Sequence, residues 1–123
     1  MRFELAPDIQ ERLNHMMRVL QFKHVDSNRI ICMRGYGSKS RAIARIWGLS
    51  RIWQKAFKVK SHYIIEVIHP RFDNLNKEEQ EKTLLHELLH IPKKFSGGLV
   101  PHKCFGKRID RRTVDKIYEK YFK

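Results

Sequence analysis

The sequence predicts mixed α and β structure in one domain covering residues 1–123. Three observations predict this. Apolar residues recur at helical spacing near both ends of the chain. Two short runs rich in β-branched residues read as strands. A leucine-rich stretch carrying two histidines ends at a loop set by Pro92, Gly97, Gly98 and Pro101. No linker divides the 123 residues, and no solenoid repeat is present.

The first seventeen residues, "MRFELAPDIQERLNHMM", are interrupted by Arg2, Glu4, Asp8, Glu11 and Arg12, so they contain no export-type apolar core. With no run near membrane-spanning length, the expectation is a soluble, cytoplasmic protein without membrane contact. Residues 8–23 read as a helix started by Pro7 and Asp8, with Ile9, Leu13, Met16, Met17 and Leu20 on one side. "NRIICMRG", 28–35, reads as a strand closed by the turn signal "GYGS". "SKSRAIARIWG", 38–48, reads as a helix capped by Ser38 or Ser40 and ended by Gly48. Its apolar Ala42, Ile43, Ile46 and Trp47 interleave with Lys39, Arg41 and Arg45.

Residues 50–57 suggest a short helix. "SHYIIEVIHP", 61–70, is the clearest strand and is bounded by Pro70. A helix follows over 71–91, with Asn76 and Glu79 approximating a capping box. After the loop 92–101, residues 103–122 read as a last helix with Phe105, Ile109, Val114, Ile117 and Tyr121 on its apolar side. Cys32 and Cys104 do not make a disulfide framework.

Charge is the unusual bulk quantity: 26 Lys and Arg against 13 acids, a net +13. Such a surplus attracts polyanions by counterion release, so DNA or RNA is a candidate partner. Arg108, Arg111 and Arg112, with Lys39, Arg41 and Arg45, are the cations that would meet phosphates. A basic, solvated surface without such a partner has the same composition.

The chemistry concentrates in "HELLHIPKKFSGGLVPH", residues 86–102. His86 and His90 lie four apart, so on a helix they share one face and can reach one metal ion. Glu87 sits beside them, able to take a proton from a metal-activated water. Leu84, Leu85, Leu88 and Leu89 would pack the opposite flank. A catalytic zinc takes three protein ligands. His102, after the Gly-Gly loop, is the favoured third; Cys104, Glu66, His62 and His69 are the others. His-x-x-Gly-x-x-His after the second ligand is absent, which excludes the metzincin arrangement. A bulky residue at Gly97 or Gly98 is expected to lower zinc occupancy wherever the glycine has positive φ. Tyr63, His62, Arg34 and Arg45 are candidate donors to a developing oxyanion. "HYIIEVIH" is a candidate edge strand for an extended peptide, or simply a core strand.

The motifs "RGYGSKSRAIARIWGL", "YIIEVIHPRFDNL" and above all "HELLHIPKKFSGGLVPH" resemble the metallopeptidases of archaea and phages. These are compact zincins, similar in outline to the SprT-like proteases. In that pattern a third histidine follows the His-Glu-x-x-His helix after a loop; here "PHKCFGKRI" puts His102 in that role, with a different spacing and no separate zinc-ribbon module. The resemblance implies an α+β, zincin-like core: a small mixed or antiparallel sheet, an active-site helix carrying His-Glu-x-x-His, and a closing C-terminal helix. It implies zinc held by His86, His90 and His102, and Glu87 as general base in hydrolysing a protein or peptide substrate. The competing expectation is a basic nucleic-acid-binding protein with a structural zinc site; a combination, a protease acting on nucleic-acid-bound proteins, is a third.

Overall fold

The computed structural model describes residues 1–22 and 25–101, the backbone of 103–104 and 107–108, and residues 109–123. The architecture is α+β. Strands β1 (Arg2–Leu5), β2 (Ile30–Tyr36), β3 (Ala44–Gly48) and β4 (Tyr63–Ile68) form a mixed sheet in the order β1-β2-β4-β3. β2 and β4 run parallel; the outer pairs are antiparallel. Helices α1 (Pro7–Leu20), α3 (Lys77–Leu88) and α4 (Arg111–Phe122) contribute to the core, and the short α2 (Arg51–Phe57) connects β3 to β4. β5 (Lys103–Cys104) and β6 (Lys107–Arg108) form a small antiparallel pair before α4.

Local signals explain most of these elements. α1 opens on Pro7, whose fixed φ suits a first helical turn, and ends at Gln21 in the left-handed region. Ile9, Leu13, Met16, Met17 and Leu20 are its buried stripe. Asn76 caps α3 by accepting from the Glu79 N–H at 2.9 Å, and Asp110 caps α4 by accepting from the Thr113 N–H at 2.9 Å.

Three expectations need correction. The 38–48 segment is not a helix: Ala44–Gly48 is a strand, antiparallel to β4 in the register Arg45↔Glu66 and Trp47↔Ile64. Its residues also alternate, Ala44 and Ile46 against Arg45 and Trp47, and pairing with β4 selects that period over the helical one. The helix after β4 is shorter than 71–91, and the last helix starts at Arg111 rather than 103. β1 was not anticipated, because its four residues are all exposed and carry no buried stripe.

Alternation in β4 gives the sheet two unlike faces. Tyr63, Ile65 and Val67 turn toward the helices and are completely buried with Leu13, Leu84, Leu85 and Leu88. Burial of each such side chain stabilises by roughly 1.5–3 kcal/mol. Ile64 and Glu66 turn to the opposite face, which no helix covers among the described residues. There buried Glu66 accepts from Arg45 Nη2 at 3.2 Å and Trp47 Nε1 at 3.0 Å.

A second polar network ties the N-terminus of α1 to the sheet. Arg34 reaches Asp8 at 3.0 Å and Asp73 at 3.0 Å. The hydrogen bond from Arg34 holds the Asp8 carboxyl below its ordinary value. A depressed folded-state value adds stability above the unfolded value of 3.8, and this is lost as pH falls through the folded value. The Asp8 side chain is 61% exposed, so the gain is below about 1 kcal/mol. Asp8→Asn should therefore lower the urea midpoint slightly at pH 7, and the difference from wild type should vanish on acidification.

Candidate metal centre

α3 is fixed before it reaches the site. Its apolar side is buried in the core, and ion pairs from Lys82 to Asp115 at 3.0 Å and from Arg111 to Glu79 at 2.6 Å bind it to α4. His86 and Glu87 occupy its last turn. The helix ends at Leu88, so His90 lies just beyond it. The end tightens: the His90 N–H donates to the Glu87 carbonyl and the Ile91 N–H to the Leu88 carbonyl, both at 3.1 Å. Pro92 bars a further turn. Despite leaving the helix, His90 stays beside His86, with the two Nε2 atoms 3.4 Å apart.

That spacing suits a shared ion. Two imidazole nitrogens at about 2.0–2.1 Å from a tetrahedral zinc are about 3.3–3.4 Å apart. The tautomer of His90 also suits it. Its Nδ1 is hydrogen-bonded to the Val100 carbonyl, which takes an N–H and so leaves the Nε2 lone pair facing His86. The Val100 N–H returns a bond to the His90 carbonyl at 2.7 Å. The loop is therefore clamped to the end of α3 at Val100. His102, two residues later, lies outside the described residues, as does the side chain of Cys104.

The loop between Pro92 and Val100 is shaped by contacts from elsewhere. Phe95 and Gly97 have positive φ, 46° and 97°. The Tyr63 hydroxyl accepts from the Gly97 N–H at 2.9 Å and donates to the Gly98 carbonyl at 2.8 Å. Ser61 Oγ donates to the Phe95 carbonyl, and Gln54 Nε2 bridges the Leu49 and Ser96 carbonyls at 2.7 and 2.8 Å. Tyr63→Phe would orphan two backbone groups and should destabilise by about 1–3 kcal/mol in urea unfolding. Metal affinity, read by competition with a chromogenic chelator, should fall with it.

Glu87 is buried, and desolvation pushes its carboxyl up to about 7. In front of His86 and Glu87 opens a cleft of about 390 Å³. Ile43 and Ala44 bound it on the side of β3, Lys82 and Thr83 along α3, and Arg111 and Val114 on α4; Arg41 also reaches it.

The structure separates the other candidates from this cleft. Glu66 is engaged by Arg45 and Trp47 on the far face of the sheet. His62 bonds the Lys60 carbonyl there, and His69 pairs with Asp73 at 2.8 Å. Among the described residues, no group of three or more His, Cys, Asp or Glu is placed to hold an ion. None of the four oxyanion candidates borders the cleft: Tyr63 is committed to the loop, Arg34 to Asp8 and Asp73, and Arg45 to Glu66. The cations that do border it are Arg41, Lys82 and Arg111. Arg41 and Arg111 were visible in the sequence only as charge, because their approach to His86 depends on how β3 and α4 pack.

A family model described as "Putative phage metallopeptidase" matches residues 1–121. The chain belongs to this family. No curated protein and no solved structure matches it. Membership in the phage metallopeptidase family implies a metal ion and a protein substrate. The facing Nε2 atoms of His86 and His90, 3.4 Å apart, have a spacing that two ligands of one ion can adopt. Among the described residues, no helix is long and apolar enough to cross a membrane.

Proposed function

We propose that the chain is a zinc-dependent peptidase in which His86, His90 and His102 hold the ion and Glu87 is the general base. The observation that carries this reading is the pair of Nε2 atoms 3.4 Å apart, with the buried Glu87 carboxylate beside them. The clamp at Val100, two residues before His102, supports its place as third ligand. When bound, zinc supplies an acidified water and polarises the substrate carbonyl.

The chain's own residues do the rest. His90 is held in one tautomer by Val100. Glu87 takes a proton from the water and returns it to the leaving amine. The helix ends and the packed leucines keep these groups fixed while the substrate changes.

The substrate would add to an edge strand. That role moves from "HYIIEVIH", which is β4 and lies inside the sheet, to β3, which is the terminal strand beside the cleft. An extended peptide can pair with the outer edge of β3, the terminal strand, and pass over His86 and Glu87. Arg41 stands where an oxyanion or an acidic substrate side chain would gain a charge-assisted bond, while Arg111 at the same cleft is held by Glu79 and Asp115.

The test is metal analysis of the purified protein together with peptide cleavage. About one zinc per chain, lost in His86→Ala and in His90→Ala together with cleavage, is the expected result. A protein that binds no zinc, or cleaves equally well after chelation, overturns the reading.

A further inference from the structure

The cleft at His86 has a counterpart across the sheet. A cavity of about 500 Å³ lies on the other face of the sheet, lined by no helix residue among the described residues. Its walls are mainly apolar: Phe3 from β1, Ile31 and Met33 from β2, Trp47 from β3 and Ile64 from β4, with His62 and the Glu66 carboxylate held by Arg45. Trp47 is 52% exposed, and its orientation is held by the bond from its indole N–H to Glu66. Gly48 and Leu49 also line this hollow, and α2 begins at Arg51, so the helix leaves the sheet at this end.

α2 is an unusual helix, with no buried residue. Only Gln54 is partly covered, and it is tied to Leu49 and Ser96. Trp53 and Phe57 are 53% and 63% exposed, and their rings pair at 5.3 Å. Exposed aromatics in such number on one end of a small protein mark a contact surface.

Charge decides what kind of partner fits. Between Asp26 and Glu66 the chain carries nine Lys and Arg and no acid. Arg51, Lys55, Lys58 and Lys60 among them are exposed on and just after α2, interleaved with Trp53 and Phe57. A second copy of the chain would bring two such cationic segments together, which disfavours self-pairing over this face. An anion with flat apolar groups satisfies both features. Single-stranded nucleic acid has that chemistry, since unpaired bases stack on aromatic rings while phosphates meet cations. A duplex hides its base faces and could use only the cations.

We propose that α2 and the adjoining open sheet face bind single-stranded nucleic acid, with bases on Trp53, Phe57 and Trp47 and phosphates on Arg51, Lys55 and Lys58. This surface differs from the one expected from the sequence. Two of the cations named there are engaged by protein carboxylates, Arg45 by Glu66 and Arg111 by Glu79 and Asp115. The proposal does not depend on the peptidase reading and is tested without any cleavage assay.

The two tryptophans of the chain, Trp47 on the cavity and Trp53 on α2, are both half-exposed, so intrinsic emission reports on the sheet face and the helix together. The experiment is titration of the intact protein with a short oligothymidylate at low salt. Quenching of tryptophan emission is expected, with the logarithm of the affinity falling linearly with the logarithm of salt. Trp53→Ala with Phe57→Ala should weaken binding about tenfold or more. Lys55→Glu with Lys58→Glu should flatten the salt dependence. These positions are exposed, and an unchanged far-UV circular dichroism spectrum checks that the variants fold. Unchanged emission overturns the proposal, as does an affinity indifferent to the Trp53 and Phe57 changes. Equal quenching by polyglutamate would assign the face to an acidic protein instead. Emission that shifts with protein concentration and ignores the oligonucleotide would assign it to a second copy.

Discussion

Glu87→Gln should lower kcat for peptide hydrolysis by about 10²–10⁴ and leave zinc content unchanged. The substitution keeps shape and volume in a buried position, so the packing of the last α3 turn survives. It removes the one carboxylate beside His86 that borders the cleft at this turn and can take a proton. His86 and His90 keep their spacing, since His90 is oriented by Val100 rather than by Glu87. The expected signature is therefore a split between two readouts, metal by elemental analysis and turnover by cleavage of a mixed peptide library. A structural zinc site has four protein ligands and no use for a base. Cleavage that survives Glu87→Gln would remove the catalytic role assigned to this residue.

The two glycines of the loop should behave differently. Gly97→Ala is expected to cost about 2–4 kcal/mol, and zinc affinity should fall at least tenfold, because the loop that approaches His90 must shift. Gly97 has φ of 97°, and an added Cβ would lie 2.1 Å from the Leu49 carbonyl oxygen. That oxygen is backbone and is already bonded to Gln54, so it has nowhere to move. Gly98 has no positive φ, and its added Cβ would meet only Ser96 Oγ at 3.6 Å, an ordinary contact. Gly98→Ala should stay within about 0.5 kcal/mol of wild type and keep its zinc. Urea unfolding and chelator competition on both variants decide it; equal behaviour of the pair would break the link between loop shape and metal binding. The sequence left open which of the two glycines has positive φ, and the backbone assigns it to Gly97.

Legibility followed the range of the interactions. The α1 stripe, the Asn76 cap and the clearest strand depend on neighbours a few residues away, and they were readable. The nearness of His86 and His90 was readable for the same reason, since they lie only four residues apart; their Nε2 atoms stand 3.4 Å apart although His90 lies past the helix end. The 38–48 segment was misread because Ala44, Ile46 and Trp47 satisfy a helical spacing as well as an alternating one. Only pairing with β4 chooses between them. Arg34 and Arg45 looked free to assist chemistry, but their acidic partners come from Asp8, Asp73 and Glu66, far away in sequence.

By itself the sequence determined the motif, the charge excess and the periodic stripes, because each is a property of short spacing or of composition. Tertiary structure alone decided that β3 is the edge beside the cleft, that Gly97 rather than Gly98 is constrained, and that one face of the sheet stays apolar and open. The physical reason is that strand order, close backbone approach and burial arise when distant segments share a surface, and spacing along a chain does not record which segments will meet.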